Sequence, residues 1–133
     1  MKRITPLSIS HLNEDEIFVF GSNLQGRHGG GAARAALRWG AIMNQGIGLQ
    51  GQTYAIPTMF DKVNDIQQYV DDFIEFAKTE PGKKFLVTRI GCGIAGYTPA
   101  GIAPMFFRAI NIENIYLPQD FWDVLLRGKK PSQ

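Results

Sequence analysis

Ile17-Phe18-Val19-Phe20-Gly21-Ser22-Asn23-Leu24-Gln25-Gly26-Arg27-His28-Gly29-Gly30-Gly31 is the stretch that decides the fold. Its first four residues are β-branched and aromatic without interruption, which reads as a short buried strand. A glycine-rich loop follows. Then Ala32-Ala33-Arg34-Ala35-Ala36-Leu37-Arg38-Trp39 is made of strong helix formers, with Ala33, Ala36 and Leu37 on one face and Gly40 as the stop. Strand, glycine loop, helix is the opening unit of a parallel α/β sheet.

The same unit recurs downstream. Lys84-Phe85-Leu86-Val87-Thr88 is a continuous apolar run, as expected for a central strand covered on both faces. Arg89-Ile90-Gly91-Cys92-Gly93-Ile94-Ala95-Gly96-Tyr97 is its glycine loop. Thr98 is placed to cap, and Pro99 to open, a helix that runs to about Ala109, with Pro104 an interruption inside it.

Between the two units, Asn44 to Gly51 reads as polar loop, and Gln52 to Ile56 as a strand ended by Pro57. Val63, Ile66, Val70, Phe73, Ile74 and Ala77 fall at spacings of three and four, the clearest amphipathic helix of the chain. Asp61 is its expected cap. Ile115 to Leu117 is a fourth strand closed by Pro118, and Gln119 to Leu126 a closing helix. The expected fold is a single α/β domain over residues 1–133. It has three layers, a mostly parallel sheet with helices on both faces, and a frayed tail from 128 to 133.

Composition narrows the function classes. Apolar residues are 44% and charged residues 20% of 133, ordinary for a globular chain. The formal net charge of +2 gives no broad attraction to nucleic acid or a membrane surface, and Arg127, Lys129 and Lys130 in the tail read as solvated. The lone Cys92 excludes an intrachain disulfide. The opening residues lack the apolar stretch of a signal peptide and no run is long enough to span a membrane, so a cytoplasmic location is expected. No cluster has metal-ligand spacing, and no metal or cofactor is expected.

The 15 glycines are clustered. In a parallel sheet both loops leave the same edge, each offering backbone N–H groups that suit an anion. Two loops on one cleft suit a diphosphate. Neither is a P-loop, since no Gly-Lys-Ser/Thr follows, and neither is a G-x-G-x-x-G fingerprint with an acidic ribose contact.

At these residues the chain resembles the macro domains. Asn23 before Gly29-Gly30-Gly31 and an Ala-rich helix is similar to their first ligand loop. The second glycine loop is similar to their diphosphate loop, and Gln50-Gly51-Gln52-Thr53-Tyr54-Ala55-Ile56-Pro57 to a middle strand. Arg89-Ile90-Gly91-Cys92-Gly93 resembles the branch that removes ADP-ribose from carboxylate side chains. The chain also resembles a family of short bacterial and phage proteins carrying FGSN, GLQGQ-YAIPT and IGCG-AGY. The resemblance covers about residues 17 to 109 and implies ADP-ribose, or an ADP-ribosylated substrate, as the partner. It departs from the hydrolase branch where Ala95 stands in place of an aspartate, and no lysine matches the nucleophile of that branch.

The candidate ligand contacts are therefore Gly21, Ser22, Arg27, Gly29, Gly30 and Gly31 from the first loop, and Arg89, Gly91, Cys92, Gly93, Ile94, Ala95, Gly96 and Tyr97 from the second. Asn23 would position the distal ribose if hydrolysis occurs, or instead close an Asx-turn. His28 would carry a proton, or be a solvated loop residue. Arg89 would face the cleft, or pair with a carboxylate such as Asp71 or Asp72. Cys92 is a thiol near a helix start, or a small residue chosen for fit. Among Phe60, Tyr97, Phe106 and Phe107, Tyr97 is best placed to stack on a base or ribose. The alternatives to an ADP-ribose site with hydrolytic chemistry are a non-catalytic sensor or sequestering module, a Cys92 thiol enzyme, and another nucleotide-binding α/β fold with convergent loops.

Overall fold

A computed structural model describes residues 3–127. The expected tail from 128 to 133 lies outside them. The chain is an α/β domain built on β1 (Glu16–Ser22), whose uninterrupted apolar run lies at the centre of a five-stranded sheet. On one side β1 pairs in parallel with β3 (Thr53–Pro57), Phe20 opposite Ala55. On the other it pairs in parallel with β4 (Lys84–Val87), Val19 opposite Val87. β5 (Ile115–Tyr116) extends the parallel set beyond β4. The N-terminal segment adds one parallel bridge, Ile4 to Leu117, with Thr5 N–H donating to the Leu117 carbonyl at 2.9 Å.

The outermost strand was not expected. Gly48–Gln50, inside the segment read as loop, forms β2 and pairs antiparallel with β3, so the order is β2-β3-β1-β4-β5 and the sheet is mixed. Its hairpin turn depends on glycine. Gly51 has φ +59°, and a Cβ on it would lie 2.7 Å from the Trp39 carbonyl oxygen and 2.9 Å from Gly40 Cα. Two backbones touch there, and Gln52 N–H donates to the Trp39 carbonyl at 2.9 Å.

The period-two alternation of β1 divides the core. Ile17 and Val19 join Ile56, Phe85 and Val87 against α2 (Gln67–Lys78), whose Val70, Phe73, Ile74 and Ala77 are buried as the spacing requires. Phe106, Phe121 and Leu125 complete that group. On the opposite face, Phe18, Phe20 and Ala55 pack against Ala33 and Ala36 of α1 (Gly31–Ala36). Large side chains at these sites dominate stability: truncating Phe73 to alanine should cost about 3–5 kcal/mol.

Three local expectations are corrected. The helix after the first loop tightens to a 3-10 turn at Leu37–Trp39 before Gly40 (φ +108°). Three residues per turn swing Leu37 off the buried face, and it is 38% exposed. Asp61 is not a cap: a 3-10 turn, Val63–Ile66, precedes α2, Lys62 takes the cap position, and no side chain bonds there. The third helix splits. α3 (Pro99–Ile102) is capped by Thr98, whose hydroxyl accepts from Gly101 N–H at 3.2 Å. It continues as a 3-10 helix, Ala103–Asn111, from the point where Pro104 supplies no N–H to the α pattern. The chain closes with α4 (Gln119–Arg127).

Candidate functional site

Strand order dictates where a crevice opens. The chain leaves β1 toward β3 through α1, and leaves β4 toward β5 through α3. β1 and β4 are neighbours whose connections depart in opposite directions, over opposite faces of the sheet. Between two such strands, at their carboxyl ends, nothing crosses, and ligands of open α/β sheets bind there. A cleft of about 290 Å³ occupies that position.

Both glycine loops reach it. From the first come Gly21, Ser22, Asn23, Arg27, Gly30 and Gly31, and from the second Arg89, Gly91, Gly93, Ile94 and Ala95. His28, Gly29, Cys92, Gly96 and Tyr97 do not line it. The loops meet the expectation of a shared edge.

The second loop is held by its own backbone. Cys92 N–H donates to the Arg89 carbonyl at 3.2 Å, Tyr97 N–H to Gly91 at 2.8 Å, and Gly96 N–H to Gly93 at 2.9 Å. Gly91 (φ +74°) and Gly96 (φ +83°) are glycines because the backbone is left-handed there. Gly93 is different. Its φ is not positive, and a Cβ built on it would meet nothing within 4 Å. Neither conformation nor packing requires glycine at a position that faces the cleft. The N–H groups of Gly93, Ile94 and Ala95 donate to no group among the described residues.

The first loop is pinned by side chains. Asn23 Oδ1 accepts from Arg27 N–H at 2.9 Å, and its Nδ2 donates to the Arg27 carbonyl at 3.2 Å. Asn23 thus lines the cleft while its amide is spent closing the turn. Ser22 Oγ donates to the Gly46 carbonyl at 2.5 Å. The Arg27 guanidinium makes no ion pair or hydrogen bond among the described residues.

His28 is not a solvated loop residue. It is 1% exposed, edge-on to Phe20 at 5.2 Å, with Nε2 2.9 Å from the Ile42 carbonyl oxygen. Nε2 therefore donates to that oxygen, and Nδ1 is enclosed with no partner among the described residues. Its place is beneath the loop, tying it to the segment before β2.

Arg89 pairs with neither Asp71 nor Asp72 but with Asp120 on α4, Nε to Oδ2 at 2.7 Å. Arg108 takes Asp71 instead, at 3.3 Å. Cys92 packs against the apolar group on the α2 face. Burial pushes its thiol up, with Arg89 opposing and Asp120 adding to the shift. A thiol held protonated is a poor nucleophile. Tyr97 is turned inward, its hydroxyl donating to the Phe60 carbonyl at 2.5 Å, and Phe106 is fully buried.

Sequence reasoning missed Thr58, Met59 and Thr88, which line the walls together with Ala32, Ala33 and Ile90. Thr58 and Thr88 each stand just past a parallel strand, the position at which Asn23 was noticed, so the end-of-strand rule could have found them. Thr58 is buried, and its hydroxyl has only a long 3.4 Å contact to the Ser22 carbonyl.

No family model matches this sequence, and neither a curated protein nor a solved structure matches it. The chemistry must be read from the cleft. Its walls carry two arginines and no carboxylate. A second cavity of about 280 Å³ adjoins it, sharing Gly31, Ala32, Thr88 and Arg89. Among the described residues no group of three His, Cys, Asp or Glu side chains could hold a metal ion. No helix of theirs is long and apolar enough to cross a membrane.

Proposed function

We propose that the cleft binds a nucleotide of ADP-ribose type through its diphosphate, in a compact three-layer domain of macro-like architecture. The observation that carries this reading is the run of Gly93, Ile94 and Ala95 lining the cleft opposite the first glycine loop, whose N–H groups donate to no group among the described residues, at a position where glycine has no structural reason. Fixed N–H groups beside a glycine without a side chain accommodate phosphate oxygens at close range. Arg27 and Arg89 supply charge. The adjoining cavity has room for a nucleoside. Pro6, Ile9 and Phe18 give it apolar walls, and Thr5 lines it with a buried hydroxyl that has no partner among the described residues. The resemblance of both loops to those of macro domains supports the same ligand.

Binding without hydrolysis is the form of this reading that the side chains favour. No carboxylate lines the cleft, Ala95 occupies the loop position where the resembling hydrolases have an aspartate, and His28 lies beneath the loop. Hydrolysis at the distal ribose, with Asn23 orienting it, is the second reading. It rests on Asn23 lining the cleft.

A thermal-shift and calorimetry panel of ADP-ribose, AMP, NAD and cyclic ADP-ribose tests the proposal. A ligand a hundredfold above its Kd adds about 2.7 kcal/mol of stability. ADP-ribose should bind more tightly than AMP. Equal affinity for the two, or stabilisation by neither, overturns diphosphate recognition.

A further inference from the structure

We propose that Asp120 is a positioning residue for anion binding: it holds the Arg89 guanidinium by Nε so that its terminal amino groups stay presented where the cleft and the adjoining cavity meet. The inference rests on the reading of the cleft given above.

Arg89 lies two residues past the end of β4 and lines both cavities. A free arginine there would sample many rotamers, most of them pointing to solvent. Asp120 restricts that freedom through a partly exposed ion pair. It lies in the first turn of α4, which starts where Pro118 ends the β5 segment, with Phe121 N–H on the Pro118 carbonyl at 3.0 Å. The helix is fixed in turn by the buried Phe121 and Leu125. Its carboxylate uses one oxygen, Oδ2, on Arg89 Nε at 2.7 Å. The other, Oδ1, is shut off from solvent and has no donor among the described residues. The contact is therefore single and lateral. It engages the Nε edge of the fork and leaves Nη1 and Nη2 with no partner among the described residues, free for the bidentate contact that phosphate favours.

A simpler role makes the opposite forecast. If Asp120 were a bystander charge, it would repel a bound phosphate, and neutralising it would tighten binding. If it positions Arg89, neutralising it weakens binding. The sign of the change separates the two.

The experiment uses the full chain and ADP-ribose in calorimetry at fixed ionic strength, with thermal unfolding of each variant as a folding check. Asp120→Asn is expected to bind about tenfold more weakly, the scale of one charge-assisted contact. Asp120→Glu keeps the charge and should recover part of the loss. In an Arg89→Lys background, where no Nε exists to hold, Asp120→Asn should no longer weaken binding. The ligand-free protein supplies a second readout, which stands even if Asp120→Asn does not fold: the ¹⁵Nε resonance of Arg89 should show a rigid side chain in the parent. Equal or tighter binding by Asp120→Asn overturns the proposal, as does a mobile Arg89 Nε in the parent. If the parent itself does not bind ADP-ribose, the reading of the cleft fails and this role falls with it, an outcome distinct from a parent that binds and a variant that matches it.

Discussion

Gly30 and Ile94 meet across the mouth of the cleft: a Cβ placed on Gly30 would stand 3.5 Å from Ile94 Cδ1. Gly30 is extended, at φ −157°, so its backbone would accept other residues. Ile94 is 80% exposed, an unusual setting for so large an apolar side chain. The two loops thus come within contact range at this edge of the cleft, with an isoleucine as the bridge. Ile94→Ala should leave the unfolding midpoint within about 0.5 kcal/mol of the parent, as for an exposed site. It should shorten the residence time of ADP-ribose several-fold, which stopped-flow displacement measures.

The glycines separate into two kinds that substitution should distinguish. Gly93→Val meets neither crowding nor a left-handed backbone, so it should fold with the parent's thermal midpoint and lose ADP-ribose binding. Gly46→Ala should do the reverse. Its Cβ would sit 2.0 Å from the Asn23 carbonyl oxygen, a clash with backbone that should cost about 1–3 kcal/mol or more in urea denaturation. A Gly93→Val protein that binds like the parent would mean that phosphate does not approach that loop.

Asn23→Ala removes both bonds to the Arg27 backbone. Stability should fall by about 1–3 kcal/mol, and the Arg27 amide should lose its protection from hydrogen exchange. Unchanged Arg27 protection would show that the amide is not what closes the turn.

His28, Arg89 and β2 show where the sequence stops being legible. The strands of residues 17–20 and 84–88 and the helix with Val70, Phe73 and Ile74 announce themselves, because burial on one face leaves a period in the chain. The convergence of the two loops followed from strand direction alone. β2 left no such mark: Gly48-Leu49-Gln50 is too short to alternate and exists because a tight hairpin lays it on β3. His28 looked like a loop tip because its partner, the Ile42 carbonyl, lies 14 residues away and contributes no side chain. Arg89 lines the cleft and also takes a helix carboxylate, but that partner is Asp120 of α4 rather than Asp71 or Asp72, a choice that depends on which helix end lies near the loop.

Cys92 should react slowly with iodoacetamide at neutral pH, and faster only as pH rises past the ordinary thiol range, because burial holds the thiol protonated. Rapid alkylation near pH 7 in the native protein would revive the thiol-enzyme alternative.

Tyr54 sets an alkaline limit. It is 6% exposed, and burial, with Asp72 adding, pushes its phenol up to about 12 from 10.0. A group whose acidity is weakened by folding stabilises the native state below its unfolded value. That contribution is lost as pH climbs from 10 toward 12, by about 3 kcal/mol for a two-unit rise. Tyr54→Phe should flatten the decline, read from urea midpoints between pH 9 and 12. An identical pH profile for the two proteins would place the alkaline limit elsewhere.

The divergence of the chain at β1 and β4 also divides the foundations of the cleft. One wall of the cleft is rooted in the small alanine-lined layer beneath α1, the other in the large aromatic layer beneath α2 and α4. The two halves of what the cleft contacts therefore rest on separate parts of the core.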